Sequence, residues 1–301
     1  MRARSPMLLI ATTAVLAALV VGGVAKVNGA PNTRSPEGRT SRIAPLVQAI
    51  MPPESPFGAP SAAFGGLPAR IQQATEEAAA AGAKISVTVL DRATGQRVSS
   101  GDDQLVGIAS VAKLFIADDL LLAQAQAETQ LSPDDRAALD IMLRASDDNA
   151  AENFWNQRGG GAIITDVVRR YGLTSTTRPS DGRWWNTMSS VSDLIRYYEM
   201  LVDGSGGLPA GQADIIIGDL STATALGVDG YPQRFGIPDG LPSEPVAVKQ
   251  GWMCCIGSDW MHLSTGVIGY DRRYIMVIES LQPSDDATAR ATITQAVQTM
   301  F

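Results

Sequence analysis

The arrangement of apolar and polar residues divides the chain into three stretches. Residues 7–25, MLLIATTAVLAALVVGGVA, hold no charge and show no helical or strand periodicity. At 19 residues the run is close to the shortest helix that spans a hydrocarbon core. Arg2 and Arg4 precede it and Lys26 ends it. That order favours a cytoplasmic N-terminus and an exported body. Residues 1–26 therefore read as a signal or membrane-anchor segment. Small residues at 23–25 and 28–30 leave both cleavage and retention open. Residues 27–67 are rich in Pro, Gly, Ser and Ala. They read as an extended linker with room for a short helix at 43–50. Patterned sequence begins at residue 68 and continues to 301.

Within that body the period changes along the chain. Residues 69–83 are Ala-rich with helical spacing. Residues 84–101 give two strand-like runs around Asp91 to Gly95, a hairpin. A strongly apolar helix follows Ser110 and runs to about Gln126. Residues 132–158 predict a helix capped by Ser132-Pro133 and broken by the glycines at 159–161. Two amphipathic helices follow, IITDVVRRY and SDLIRYYEML, separated by a turn-rich segment around residues 174–189. Three strand patterns joined by short Gly/Asp turns, then a closing helix, complete the chain. Strands at both ends of a helical middle predict an α+β fold, with an antiparallel sheet flanked by helices and an all-helical subdomain.

Composition narrows the function classes. With 45% hydrophobic and 18% charged residues, 301 residues can bury a sizeable core. A net charge of −7 without a basic patch excludes nucleic acid as a partner. The two cysteines, Cys254 and Cys255, are adjacent and cannot staple distant parts of a fold. A vicinal disulfide, two free thiols, a bridge to another chain and plain packing all remain open. No cysteine near the N-terminus offers a lipid-attachment site. Two cysteines and one histidine, His262, make a metal site improbable, and no cofactor is expected.

The chain contains 4 lysines against 20 arginines, so each lysine asks for a reason. Lys113 follows Ser110 by three residues, which places the two on one helix face. The free N–H groups of a helix start favour negative charge developing on the serine oxygen. Burial in an apolar helix lowers a lysine's pKa. Lysine, unlike arginine, can then act as a neutral base that activates the hydroxyl. The other three lysines have Gly23, Ala81 and Val246 at that position.

With Ser110-x-x-Lys113 in view, Ser146-Asp147-Asp148 and Lys249-Gln250-Gly251 follow in order. In combination these resemble the penicillin-recognising serine enzymes, the serine β-lactamases and D,D-peptidases, over roughly residues 68–301. Those families carry S-x-x-K, then S-D-N or a variant, then K-T/S-G on a strand. The resemblance implies a β-lactamase/transpeptidase-like fold with Ser110 as nucleophile, Lys113 as base and Ser146 as proton relay. It implies Asp148 or Asn149, Lys249, Gln250, Gly251 and Trp252 as substrate-binding positions. The backbone N–H groups of Ser110 and Trp252 would form the oxyanion hole.

Three departures qualify what the resemblance implies. Asp148 stands where the family has Asn; Asn149 fills that place only if the register slips by one, which would put Asp147 at the serine position. Gln250 replaces Thr or Ser. The loop around residues 174–186 lacks the Glu that deacylates class A β-lactamases, Asp181 being its only acid, and Ser110 and Ser146 are only 36 residues apart. The expectation is an exported, monomeric, membrane-anchored or secreted serine hydrolase. It would act on peptidoglycan-type amides or β-lactams and hydrolyse β-lactams poorly; the alternative is an inactive binding module of the cell envelope. Trp184, Trp185 and Trp252 are read as packing rather than groove residues, His262 as structural, and Asp118 and Asp119 as capping or solvating a helix face.

Overall fold

The computed structural model describes residues 65–301. The apolar N-terminal segment, nearly all of the linker and the short helix expected at 43–50 lie outside the described residues. Helix α1 (Leu67–Ala80) begins with a proline in its first turn and buries Leu67, Ile71, Ala74 and Ala78, one stripe of a 3.6-residue repeat. The expected hairpin is β1 (Lys84–Asp91) and β2 (Gln96–Ser100).

The three late strands are β5 (Val246–Ile256), β6 (Asp259–Ile268) and β7 (Tyr274–Gln282). All five form one antiparallel sheet in the order β2-β1-β7-β6-β5. Thr88 of β1 faces Val277 of β7, so the two ends of the folded body share the middle of the sheet. Side chains alternate between its faces. Val87, Val248, Met276 and Ile278 pack towards α1 and the last helix, α9 (Asp286–Met300), through a core that includes Ile71 and Ile293. Ala247, Leu263 and Val277 join the other core, which contains the helical middle. The fold is α+β.

That middle comprises α2 (Lys113–Gln126), α3 (Pro133–Arg144), α4 (Asp148–Gln157), α5 (Gly161–Tyr171), α6 (Val191–Asp203) and α7 (Ala210–Ser221). A four-residue helix, α8 (Ile237–Gly240), precedes β5. Helix α2 buries Leu114, Phe115, Ile116, Ala117, Leu120 and Leu121, so it is enclosed on most sides. Ser132 caps α3 as expected, accepting from Asp135 N at 3.0 Å.

Two expectations need correction. The helix expected over 132–158 is two helices, interrupted where Ser146 takes a left-handed φ of 56° and Asp147 caps α4 through Ala150 N at 2.6 Å. Helix α7 lies in a stretch for which the sequence analysis gives no element; it holds by burying Ile216, Ile217 and Leu220. Asp118 does not face solvent. It is fully buried and bonded to Arg170 and Tyr171 of α5, while Asp119 pairs with Arg158 at 2.8 Å.

Candidate active site

Two short strands, β3 (Val106–Gly107) and β4 (Met188–Ser189), form a small separate ladder. Ile108 N donates to Thr187 O at 2.9 Å just beyond it. These bonds hold a 3₁₀ turn, Ala109–Ala112, at the head of α2. Ser110 therefore sits in the 3₁₀ turn rather than inside the α-helix. In a 3₁₀ helix residues i and i+3 eclipse each other, which aligns Ser110 with Lys113. Ala109, next to the serine, has a φ of 45°. Left-handed backbone at a residue with a side chain is strained, and it persists where its surroundings over-determine it. Gly251 of β5 supplies part of that constraint, since a Cβ there would lie 2.7 Å from Ile108 O and 3.6 Å from Ala109 Cβ.

Five side chains from three separate stretches of the chain meet at this turn. Lys113 Nζ lies 2.9 Å from Ser110 Oγ, 3.0 Å from Ser146 Oγ, 2.6 Å from Ser146 O and 2.6 Å from Asp148 Oδ1. Four oxygens thus compete for at most three N–H bonds. Lys249 Nζ shares a 2.9 Å hydrogen bond with Ser146 Oγ. Ser110 is 7% exposed, Lys113 0% and Lys249 1%, so the cluster is nearly dry with the serine at its rim. Thr265 Oγ1 donates to Lys249 O at 2.8 Å and shares a 2.8 Å bond with Tyr198 OH of α6, which ties β5 to the helical layer.

Both lysines are held below the usual lysine range. For Lys113 the cause is burial, opposed by the carboxylate of Asp148. For Lys249 burial acts first and the charge of Lys113 adds to it, opposed by Asp148 and Asp229 at longer range, and the amine lies well below normal.

The structure does not bring every sequence-singled residue to this cluster. Asn149 is exposed beyond it; the register that gathers side chains here is Ser146 with Asp148. Gln250 is buried and belongs to the opposite face of the sheet, in register with Val248 and Trp252. Its Nε2 donates to Gln233 O at 3.0 Å and Phe235 O at 2.6 Å, so its side chain offers nothing to a ligand at Ser110. The Trp252 ring is also on that face, stacked on Tyr231 at 4.4 Å, leaving only its backbone available to the site. Gly251, expected at a substrate-binding position, admits the Ala109–Ala112 turn to the strand.

Trp184 is the residue whose place the sequence did not disclose. Its ring, 2% exposed, covers Lys113 with Nζ 4.8 Å from the centroid, and its Nε1 donates to Glu152 Oε2 at 3.2 Å. Asp181 holds its own loop, accepting from Arg183 N at 3.0 Å and Asn186 Nδ2 at 2.7 Å. Beside the turn lies a depression of about 430 Å³ bordered by Gly107, Arg178, Asp181, Met188, Met253 and Ile256. On its rim Cys254 and Cys255 are exposed and joined by a vicinal disulfide. His262 is buried, with Nε2 2.7 Å from Tyr231 OH, and Tyr231 bonds Asp286. Burial brings His262 down to about 4. Among the described residues no group of three or more His, Cys, Asp or Glu converges as metal ligands.

The fold is similar to that of class A β-lactamases. A β-lactamase from Chitinophaga pinensis superposes with a TM-score of 0.62 at 15% identity, over 77% of this chain and 97% of that one. A class A β-lactamase from Bacteroides cellulosilyticus gives 0.65 at 13% identity, over 78% and 97%. A mutant of PBP-A, solved as an acyl-enzyme complex with penicillin G, gives 0.63 at 19% identity, over 78% and 95%. At these identities the likeness is one of fold. No family model matches the sequence. Curated relatives from Mycobacterium bovis and from Mycobacterium tuberculosis strain H37Rv, each called "Putative lipoprotein LppW", are 63% identical over 309 aligned positions, covering 100% of this chain and 98% of theirs. The chain belongs to the LppW family.

Proposed function

We propose that the protein is an extracytoplasmic serine acyl-transfer enzyme that forms an ester between Ser110 and a peptidoglycan-type amide or a β-lactam. The observation that carries this reading is the contact of Ser110 Oγ with Lys113 Nζ at 2.9 Å, with Lys113 and Lys249 both on Ser146 Oγ. A hydroxyl beside an amine whose pKa is depressed by burial is an activated nucleophile. Ser146 is placed to return the proton to the leaving nitrogen, and the N–H groups of Ser110 and Trp252 serve as the oxyanion hole. Lys249, behind Ser146, contributes positive potential for a substrate carboxylate when it carries a proton. Water attack on the ester has no carboxylate of the 174–186 loop to assist it, since Asp181 is engaged in its own turn and Trp184 covers Lys113. Slow deacylation follows, and with it poor β-lactam hydrolysis.

A second reading, an inactive envelope-binding module, is favoured by one observation: Gln250 is turned to the other face of the sheet, so no side chain replaces the lost hydroxyl. The lipoprotein name of the relatives supports an envelope location for this chain. Both of its cysteines are joined to each other, so a tether here would be the apolar run at residues 7–25 rather than a lipidated thiol. Monomeric behaviour, and the absence of nucleic acid and cofactors, belong to the same proposal.

Intact-mass measurement of residues 65–301 after incubation with a fluorophosphonate or a β-lactam tests the choice. A single adduct on wild type, absent from Ser110→Ala, supports the enzyme. No adduct with either reagent, or the same adduct on Ser110→Ala, overturns it.

A further inference from the structure

Resting on that acyl-transfer reading, we propose that Asp148 is a positioning residue that holds the site's resting proton on Lys113, so that Ser110 becomes nucleophilic only when this proton passes through Ser146 to Lys249. The family pattern has a neutral asparagine at this position. This chain places a carboxylate there, and that carboxylate touches the base itself.

The geometry separates the two lysines by their partners. Lys113 has a carboxylate at 2.6 Å. Lys249 is equally buried, and its closest partner is the hydroxyl of Ser146; among the described residues no carboxylate lies at ion-pair distance from it. Two cations bridged by one hydroxyl in a nearly dry pocket repel each other, so the pair is best served by one proton. Asp148 decides which amine carries it. Other charges facing Lys113 are more distant: Asp147 and Asp229 favour its ammonium and Lys249 opposes it, while the neutral ring of Trp184 covers it.

The proton path balances. The Lys113 ammonium gives a proton to Ser146 Oγ as the Ser146 hydroxyl hydrogen moves to Lys249 Nζ, across contacts of 3.0 and 2.9 Å. Lys113, now an amine, takes the Ser110 proton as Ser110 Oγ bonds to the acyl carbon. When the C–N bond breaks, one proton returns through Ser146 to the leaving nitrogen, and the pair again holds one. Asp148 gains and loses nothing. Its carboxylate is 72% exposed, so its hold on the proton is screened and the first transfer is reversible.

The test uses the small number of lysines. The full chain has four, so ¹³Cε-lysine NMR of it gives four resonances, and Lys26→Arg with Lys84→Arg leaves only the two site lysines. The expected result is that Asp148→Asn lowers the Lys113 titration midpoint by about one pH unit, the low end for loss of a nearby opposite charge, while Asp148→Glu keeps the wild-type midpoint. Asp148→Ser is the second carboxylate-free variant and should behave like Asn. The pH profile of Ser110 acylation should move to lower pH by the same amount. An unchanged or raised Lys113 midpoint in both the Asn and Ser variants overturns the proposal. If wild type forms no adduct, the acyl-transfer reading fails, yet the lysine titration still decides whether Asp148 holds the proton.

Discussion

Gly251 and Ile108 are in contact so close that a single methyl group would not fit: a Cβ on Gly251 would stand 2.7 Å from the Ile108 carbonyl oxygen and 3.3 Å from Val111 Cγ2. Backbone cannot yield as the end of a side chain can. Gly251→Ala is expected to push the Ala109–Ala112 turn off β5 and to cost about 1–3 kcal/mol of stability, the range for overpacking. Ser110 acylation should fall much further than stability, because the displaced turn carries the proposed nucleophile. Urea denaturation alongside adduct formation by mass spectrometry separates the two; equal acylation rates in the variant and wild type would contradict this account.

Two buried groups give opposite pH dependences that hide each other. Glu279 on β7 is 1% exposed with neither carboxylate oxygen hydrogen-bonded, and burial raises it from 4.5 to about 7. The folded state then holds a proton the unfolded state has lost, so stability falls as pH rises from about 4.5 to 7. His262, brought from 6.5 to about 4, is neutral when folded and charged when unfolded between those values, so its contribution is lost as pH falls through them. Each spans about 3 kcal/mol by the 1.36 kcal/mol per pKa unit rule. The Glu279 and His262 contributions should therefore offset each other between about pH 5 and 6.5, leaving the wild-type slope to the remaining groups, and each variant is compared with that slope. Glu279→Gln alone should gain stability with rising pH, and His262→Gln alone should lose it, both read from urea midpoints. Parallel slopes in the two variants would refute the assignment.

Asp193 holds the segment that leads to Trp184. Its carboxylate, 4% exposed, accepts from Thr174 N at 3.1 Å, Ser175 N at 2.8 Å, Thr176 N at 2.7 Å and Thr176 Oγ1 at 2.7 Å. Asp193→Asn places an NH₂ group against donors, and hydrogen bonds to a charged acceptor contribute about 1.5–3 kcal/mol each. A loss of at least about 2 kcal/mol is expected, with faster hydrogen exchange at residues 174–176. Exchange unchanged there would show that the segment is held by something else.

Much of this arrangement could be read from residue order because its signals are local. The hairpin has two strand patterns and a turn, and Ser110 with Lys113 needs only a spacing of three. Ser146 and Lys249 became legible once the first pair was in hand. The break at Ser146 was not legible, since a left-handed φ without glycine leaves no mark in the sequence. Asp118 was misread because its partners, Arg170 and Tyr171, lie more than fifty residues away. Gln250 could have been placed from strand alternation alone. Adjacent residues of one strand tend to opposite faces, as Lys249 towards Ser146 and Gln250 towards Phe235 do here.

The pairing of β1 with β7 also constrains the order of events during synthesis. The first hairpin is finished at Ser100, yet its neighbour in the sheet begins only at Tyr274. Lys249 reaches Ser146 across 103 residues, and Arg70 Nε is satisfied by Met300 O at 2.6 Å, 230 residues on. Contacts so remote in the chain form late and slowly. A partly made or truncated polypeptide therefore carries Ser110 and Lys113 without Lys249, and the cluster is complete only after β5 has been made and has joined the sheet.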